Sequence, residues 1–162
     1  MRPLLLIDVD GVISLFGFDR ADPPEGHWAL IDGTPHFLSS TAASLLGGLG
    51  RWFELVWCSG WEERAAEHLP AMVAAPAGLA HLTFGPVGPA AGRHWKLDAI
   101  EAHAGHSRPL AWIDDGFDDS CRDWARRRAA PTELVSTDPA IGLTAAHADR
   151  LAAWAAQLRA GV

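Results

Sequence analysis

Four aspartates, in two pairs, are the residues of this sequence whose types and spacing suggest chemistry. Asp8 and Asp10 follow a short apolar run and precede a glycine, and Asp114 and Asp115 follow a second apolar run. Carboxylates held close together repel one another, and they are driven towards protonation unless a cation neutralises them. Their hard oxygen atoms, with no convincing set of His or Cys ligands in the sequence, favour Mg²⁺ over Zn²⁺. If Mg²⁺ binds there, a phosphate group is the expected ligand.

The spacing of the first pair predicts that both side chains act together. Side chains alternate along an extended chain, so Asp8 and Asp10 are expected on the same side, where they share a cation or act on one substrate. A strand followed by an ordinary Asp-Gly turn is the alternative. Asp114 and Asp115 repeat the pattern, and two strands that both end in acids are harder to explain as turns than one.

A serine, a glycine and a lysine are the further candidates for contact with a phosphate. Ser59 and Gly60 follow an apolar run and precede a helix, where a hydroxyl and free backbone N–H groups suit phosphate oxygens. The Ser-x-x-Glu spacing from Ser59 to Glu62 also predicts a capping box for that helix. Lys96 lies near the start of a later helix, where a cation is unfavourable beside the helix dipole. A solvated surface lysine is the alternative for this residue.

The elements that must position these residues alternate between strands and helices. Short apolar runs predict strands in the stretch 4–12 and at 53–58, 81–84, 109–113 and 134–137. Helical patterns are predicted at 36–50, at 97–104, at 118–128, and after a cap at Thr144. A further helix is predicted from 61 to a break near Pro70 or shortly afterwards, with its exit at 74–78. Right-handed crossovers bring the carboxyl ends of parallel strands to one edge of a sheet. We therefore expect an α/β fold, a three-layer Rossmann-like sandwich with a central, mainly parallel sheet of about five strands.

Two segments are predicted to be loops. Residues 14–35 contain glycines, prolines and scattered aromatics without a sustained period, which indicates an irregular loop with at most a short hairpin. A long irregular segment beside an acidic strand end is typical of a binding loop or lid. Trp28 shapes a substrate mouth or packs under this loop, and His27 and His36 are expected to be ordinary polar side chains. The Gly- and Pro-rich stretch 85–92 is the second loop.

Length and composition predict one compact domain over residues 1–162, since 49% of the residues are hydrophobic. The net charge of −7 disfavours broad binding to a nucleic-acid backbone without excluding a local basic groove. The sequence shows no leader and no run long enough to span a bilayer, which predicts a cytoplasmic protein that does not contact a membrane. Cys58 and Cys121 are expected to be reduced, and no obligate protein partner is evident.

The order of these motifs resembles that of the haloacid dehalogenase (HAD) superfamily in its phosphatase branch. The matching residues are Asp8-Val9-Asp10-Gly11, Ser59, Lys96 and Asp114-Asp115, which lie at predicted strand ends along most of the chain. The phrases 56–62 and 112–115, with 137–139 and 142–144, look more narrowly like the HAD domain group associated with Swiss Army Knife RNA repair proteins.

This resemblance implies a hydrolase, a Mg²⁺-dependent phosphatase with an aspartyl-phosphate intermediate. It implies that Asp8 is the nucleophile and that Asp10 is the general acid and base. Asp8, the backbone carbonyl of Asp10 and the Asp114-Asp115 pair would hold Mg²⁺, with Asp115 as the direct ligand. Ser59, Gly60 and Lys96 would bind the phosphoryl oxygens.

The resemblance also implies a capless or minimally capped enzyme, because neither interval that carries a cap in this superfamily is long enough here. Its open site keeps a nucleic-acid 3′- or 5′-end phosphatase as an alternative to a small-molecule phosphatase. Arg93, His94 and the 14–35 segment are the candidates for substrate contact. A non-catalytic partner-binding module with the same fold and a receiver-like signalling domain are the further alternatives.

Overall fold

Two sheets and five helices make up residues 2–85 and 92–160, which are the residues that this computed structural model describes. The strands are β1 (Leu4–Ile7), β2 (Ser14–Leu15), β3 (Gly26–Ile31), β4 (Thr34–Ser39), β5 (Glu54–Trp57), β6 (Ala80–His81), β7 (Leu110–Asp114) and β8 (Thr132–Ser136). The helices are α1 (Ser40–Leu49), α2 (Glu63–Val73), α3 (Leu97–Ala104), α4 (Asp119–Arg127) and α5 (Ala145–Ala160).

The main sheet is parallel throughout the described chain and has the strand order β6-β5-β1-β7-β8. Strand β1 is central, with β5 on one side and β7 on the other, and Leu4, Leu5, Leu6 and Ile7 are completely buried. A strand covered on both faces needs a continuous apolar run, and the sequence provides one here. The prediction of an α/β fold with a parallel sheet of about five strands is confirmed.

Helices cover both faces of this sheet. Leu5 and Ile7 pack on one side with apolar residues of α1, α2 and α5, whereas Leu4 and Leu6 pack on the other side with residues of α3 and α4. Alternate side chains of β1 thus feed two separate cores, which gives the three layers that we expected. In the residues described, no helix has both the length and the apolar character required to cross a membrane.

The segment 14–35 is more regular than predicted: residues 16–25 contain no helix or strand, but the short hairpin that we allowed for is part of a three-stranded sheet. Strands β2, β4 and β3 form a small antiparallel sheet in that order, and β3 and β4 are joined by the two-residue turn Asp32-Gly33. Both turn residues have positive φ, 50° and 79°, as a tight hairpin of this kind requires. The helix expected over 36–50 begins only at Ser40, because Phe37 and Leu38 pair with β3 and β2 as part of β4.

Smaller differences concern the neighbouring elements. The helix expected from residue 61 begins only at Glu63, and it continues through Pro70 and ends at Val73, directly before the expected exit at 74–78. The strand expected at 81–84 is only two residues long and lies at 80–81. The expected loop at 85–92 falls mostly outside the described residues, because the structure describes Gly85 and Gly92 but not 86–91.

Cys58 and Cys121 are free thiols, buried in the core on the α3 and α4 side of the sheet. Burial in apolar surroundings raises the pKa of both thiols, so each is held in its neutral form near neutral pH. We therefore assign both cysteines to packing and neither to chemistry.

Candidate functional site

The ends of β1 and β7 bring Asp8 and Asp114 together. The two strands are paired in parallel with Ile7 opposite Ile113, and the Asp8 backbone N–H donates to the Ile113 carbonyl at 3.0 Å. The next residue of each strand is therefore a carboxylate at the same level of the sheet. Sequence reasoning placed these two acids at one edge, and the structure brings them into one site.

Lys96 joins the two carboxylates from the start of α3. Its Nζ lies 2.8 Å from Asp8 Oδ2 and 2.6 Å from Asp114 Oδ2, and all three side chains are buried, with Lys96 only 2% exposed. A solvated surface lysine is therefore the wrong alternative. The unfavourable position near the helix start is offset by two carboxylates in direct contact, which interact more strongly with the ammonium than the helix dipole does.

The Asp114 carboxylate is held by protein donors on both of its oxygens. Oδ2 accepts from the Trp112 indole N–H at 3.1 Å as well as from Lys96, and Oδ1 accepts from the Gly116 backbone N–H at 2.9 Å. In Asp8, Oδ1 accepts from the Val9 backbone N–H at 2.8 Å. Both carboxylates are therefore fixed in orientation, because rotation would break hydrogen bonds that buried oxygens cannot replace with water.

Burial and like charge make the ionised form of Asp8 costly. Burial raises the pKa of Asp8 to about 6, since desolvation and the neighbouring Asp114 outweigh the opposing effect of Lys96. Burial and Asp114 also raise the pKa of Asp115. Burial alone would lower the pKa of Lys96, but the carboxylates of Asp8 and Asp114 overcome it and raise that pKa. Lys96 therefore stays protonated, and its single positive charge does not balance the carboxylates around it.

Asp8, Asp114 and Asp115 form a group that suits a divalent cation. Each offers one carboxylate oxygen, and these oxygens lie within 4.8 Å of one another. When all three are ionised, their charges exceed the single positive charge of Lys96 by two, so a divalent cation would balance the cluster. Oxygen donors at this spacing fit Mg²⁺ better than Zn²⁺. Gly11 makes room for the group, because a Cβ there would overlap the Asp115 carboxylate.

Asp10 does not join this cluster, which corrects the expectation that its carboxylate shares a cation with Asp8. Strand β1 ends at Ile7, and the backbone N–H groups of Val12, Ile13 and Ser14 all donate to the Val9 carbonyl in a tight turn. The chain is therefore not extended at Asp10, and its side chain is exposed while that of Asp8 is buried. Of the predicted metal ligands, the structure groups the side chains at 8, 114 and 115 only, within the residues it describes.

Trp61 holds the Asp10 carboxylate at the edge of the site. Its indole N–H donates to Asp10 Oδ2 at 3.0 Å, and the ring packs edge-on against His36, with ring centroids 4.6 Å apart. His36 in turn lies 3.0 Å from Ser14 Oγ through its Nδ1. These contacts fix a carboxylate that is otherwise open to solvent, and sequence reasoning did not assign Trp61 or His36 to the site.

Ser59 and Gly60 lie at the end of β5, the strand next to β1. Trp57 is opposite Ile7, and the Cys58 backbone N–H donates to the Ile7 carbonyl at 2.7 Å. Ser59 therefore lies level with residues 8–11, which we call the acidic turn. Ser59 is buried and Gly60 is exposed. The Ser59 hydroxyl accepts only a long 3.4 Å hydrogen bond from the Trp61 backbone N–H, among the hydrogen bonds of the described residues.

The capping box predicted from Ser59 to Glu62 is wrong. The first helical residue of α2 is Glu63, Glu62 has a φ of 50°, and no side chain caps this helix. The Glu62 carboxylate instead accepts from the Phe84 backbone N–H at 2.7 Å, which ties the chain after β6 to the start of α2. The Ser59 hydroxyl therefore does not cap the helix.

Two residues expected to contact substrate are differently placed. Arg93 forms ion pairs with Asp98 at 2.8 Å and Glu101 at 2.6 Å, so its guanidinium supports α3. His94 is half-buried beside Trp112, and burial lowers its pKa, so it is neutral near neutral pH. Sequence reasoning also missed Thr137, whose hydroxyl donates to the Gly11 carbonyl at 2.8 Å and ties β8 to the acidic turn.

Comparison with known proteins adds little to this geometry. No protein-family model matches the sequence, and no curated protein matches it. Among solved structures, one crystal structure aligns with 99% of this chain and 84% of its own chain, at 16% identity and with a TM-score of 0.48. A likeness at that level supports no statement about function, and the site is interpreted from its own residues.

Proposed function

We propose that this protein is a Mg²⁺-dependent phosphatase of the haloacid dehalogenase type, which hydrolyses a phosphomonoester through an aspartyl-phosphate. The observation that carries the proposal is the buried Asp8 carboxylate, held by Lys96 within a group of three acids at the carboxyl end of the central strand. That group has few structural uses, because burial raises the pKa of both Asp8 and Asp115, which makes their ionised forms costly to the fold. The order of the motifs along the chain supports the same class.

In the proposed first step, an Asp8 carboxylate oxygen attacks phosphorus and the bond to the leaving-group oxygen breaks. Asp10 supplies a proton to that oxygen. In the second step, Asp10 takes a proton from a water molecule, whose oxygen attacks phosphorus. Inorganic phosphate leaves and the Asp8 carboxylate is restored. The division of work is supported by the two environments, because Asp8 is fixed and buried while Asp10 is exposed and can exchange protons with solvent.

Lys96 and Ser59 are proposed to hold the transferred phosphoryl group. The Lys96 ammonium already contacts Asp8 Oδ2 at 2.8 Å, so it can neutralise charge on phosphoryl oxygens bound next to that carboxylate. The buried Ser59 hydroxyl, with only its long bond to Trp61, is free to donate to such an oxygen. The exposed backbone of Gly60 allows the same group to approach closely.

The residues present fit Mg²⁺, and we propose that Asp8 and Asp115 hold it through carboxylate oxygens together with the Asp10 backbone carbonyl. Asp114 accepts protein hydrogen bonds on both oxygens, so its main proposed part is to orient Lys96 and to add negative charge. A bound Mg²⁺ supplies positive charge that lessens the repulsion between the Asp8 carboxylate and a phosphate.

We also propose that the protein works in the cytoplasm and without an obligate protein partner. Cys58 and Cys121 are free thiols, in keeping with a reducing compartment.

Phosphate release from a panel of about a hundred metabolites and phosphorylated oligonucleotides tests the proposal, with Mg²⁺ and then with EDTA. We expect Mg²⁺-dependent release that vanadate inhibits, and a loss of at least a thousandfold in Asp8→Asn. Asp119→Asn is the matched control, because the same change is made on a fully exposed side chain. Comparable turnover by Asp8→Asn would contradict the mechanism. Inactivity of the wild-type protein across the whole panel would favour the non-catalytic alternative.

A further inference from the structure

An aromatic cavity opens beside Asp10, between the small sheet and the chain that leads into it. Its volume is about 390 Å³, and Asp10 itself forms part of the wall. Strand β4 contributes Phe37 and strand β3 contributes Trp28, while Phe16 and Phe18 come from the segment that follows β2. The acidic cluster around Asp8 is not part of the lining, so the cavity extends away from it.

The aromatic side chains of this cavity pack against one another at tilted angles and remain partly exposed. The Phe18 and Phe37 rings are 4.6 Å apart and the Trp28 and Phe37 rings are 5.4 Å apart, between centroids. Phe37 is buried at the base, whereas Trp28 is 54% exposed and Phe16 is 50% exposed. Large apolar side chains left open around a concave site are typical of ligand contact.

The position of Asp10 indicates which part of a substrate the cavity would receive. In the proposed reaction, Asp10 protonates the leaving-group oxygen, so that oxygen must lie within hydrogen-bond reach of its carboxylate. The phosphoryl group lies on the Asp8 side and the leaving group on the opposite side. Because the cavity begins at Asp10, it is the space into which the leaving group projects.

We propose that this cavity binds a nucleobase, so that the substrate is a phosphomonoester of a nucleoside. This inference rests on the proposed phosphatase function and names its substrate class. Aromatic side chains stack on any base through its π-face. A cavity of about 390 Å³ is more than twice the roughly 150 Å³ that holds a single benzene ring. That volume favours a nucleoside over the single ring of a phosphotyrosine.

Arg20 adds a cation at the mouth of the cavity. Its guanidinium carbon lies 5.7 Å from the Trp28 ring centroid, and the residue is exposed. A guanidinium there can stack on a base or pair with a second phosphate. A free nucleoside monophosphate and the phosphorylated end of an oligonucleotide share the base and the phosphate, and only the oligonucleotide brings that second phosphate.

The first test compares substrates that differ only in the base. The values of kcat/KM are measured for adenosine 5′- and 3′-monophosphate and for the corresponding ribose phosphates, which lack the base. We expect the better nucleotide to be preferred at least tenfold. Equal values with and without the base would overturn the inference while leaving the phosphatase proposal intact. A phosphotyrosyl peptide that is turned over faster than every nucleotide would also overturn it.

Variants of Trp28 locate the preference. Trp28→Ala should lose it mainly through a rise in KM of about tenfold for the nucleotide, with the ribose phosphate unaffected, and Trp28→Phe should keep most of it. Leu30→Ala is the matched control, because Leu30 lies on the same strand, is 70% exposed and does not line the cavity. An undiminished preference in Trp28→Ala would refute the assignment.

A binding measurement separates this inference from the proposed function. If no substrate releases phosphate, the proposed function fails, and calorimetry with adenosine 5′-monophosphate then decides about the cavity. Binding to wild-type protein that Trp28→Ala weakens would support the cavity, and no binding would overturn it. Where phosphate is released, turnover of a 5′- or 3′-phosphorylated oligonucleotide is compared with that of the mononucleotide. Faster turnover of the oligonucleotide, if Arg20→Ala removes the difference, identifies nucleic-acid ends as the substrate. Equal or slower turnover identifies free nucleotides, and both results support the shared chemistry.

Discussion

Asp8→Asn should abolish turnover and at the same time stabilise the metal-free protein. The amide keeps the size of the carboxyl group, and its oxygen can still accept from the Lys96 ammonium that lies 2.8 Å from Asp8 Oδ2. The substitution removes the proposed nucleophile and with it a buried negative charge that faces Asp114. Function and folding therefore respond in opposite directions to one change at the centre of the site.

The size of the stabilisation follows from the ionisation of Asp8. Its pKa is about 6 in the folded protein, compared with 3.8 for an unperturbed aspartate. This difference corresponds to about 3 kcal/mol at a pH above both values. Roughly 1 kcal/mol shifts the Tm of a domain of this size by about 2–4 °C, so we expect an increase of about 6–12 °C as an upper bound.

The sign of the effect makes it depend on pH. A carboxyl group whose pKa is raised in the folded state stabilises the fold fully below pH 3.8, and that contribution is lost as the pH rises through about 6. The wild-type protein in EDTA should therefore lose stability between about pH 4 and pH 6 relative to Asp8→Asn. The two proteins should be equally stable near pH 4 and differ most above about pH 7.

Thermal and urea unfolding in EDTA, from pH 4 to pH 8, measure this difference. Asp119→Asn controls for the loss of a surface carboxylate and should leave the pH profile of the wild type unchanged. Addition of Mg²⁺ near pH 7.5, at a concentration a hundredfold above Kd, should increase the free energy of unfolding of the wild type by about 2.7 kcal/mol and raise its Tm accordingly. Asp8→Asn should respond much less. If Asp8→Asn were less stable than the wild type at high pH, the interpretation of Asp8 as a desolvated, incompletely neutralised carboxylate would be wrong.

Three further changes test the other parts of the site. Lys96→Met should lower the free energy of unfolding, measured in urea, by about 3–5 kcal/mol at pH 7.5 and by clearly less at pH 5, since it leaves buried carboxylates unpaired. An equal loss at both pH values would argue against an electrostatic role of Lys96. Gly11→Ala should destabilise the protein by about 1–3 kcal/mol more than Gly17→Ala and should weaken Mg²⁺ binding in calorimetry. Both glycines have positive φ, but only a Cβ at Gly11 would overlap a carboxylate, that of Asp115. Equal effects of the two substitutions would refute this. Trp61→Phe should lower kcat about tenfold with KM unchanged, because an aromatic ring remains while the hydrogen bond to Asp10, the proposed acid and base, is lost. An unchanged kcat would show that Trp61 does not position Asp10.

The main sheet could be predicted from the sequence because its strands carry a strong local signal. Residues Leu4–Ile7 are apolar without alternation, which is the pattern of a strand covered on both faces, and all four are buried. The acids at the carboxyl ends of β1 and β7 then had to meet at one edge. Parallel pairing aligns the ends of neighbouring strands, so the grouping of Asp8 with Asp114 required no knowledge of side-chain contacts.

Lys96 and Ser59 show where local rules stop. A lysine at a helix start is locally unfavourable, and the structure explains it through two carboxylates on strands that are distant in sequence. The capping box of Ser59 is locally favourable and does not form, because Glu62 pairs with the Phe84 backbone N–H of a later segment. Contacts between distant segments decide both cases, and a local pattern contains no information about them.

The small sheet was missed although one signal for it was present. Asp32-Gly33 is a strong two-residue hairpin sequence, and β3 and β4 pair across it residue by residue from Ile31 opposite Thr34 to Gly26 opposite Ser39. The flanking residues do not alternate cleanly, because Trp28 and Leu30 remain exposed while only Ile31 of β3 is fully buried. An alternating pattern of apolar and polar residues is expected only where one face of a strand packs on a core, which β3 does not do along its length.

The same irregularity is what connects the small sheet with the candidate site. Phe16, Phe18 and Trp28 border the cavity at Asp10, whereas Ile31 and Leu38 of the same segment pack into the main core. Phe37 lines the base of the cavity, is itself buried, and contacts both Phe18 and Trp28. Side chains left open in this way add little to stability, so the sheet depends on its backbone pairing, and β4 provides that pairing on both of its edges. The hairpin is therefore the part of the fold where we expect substrate specificity to be determined.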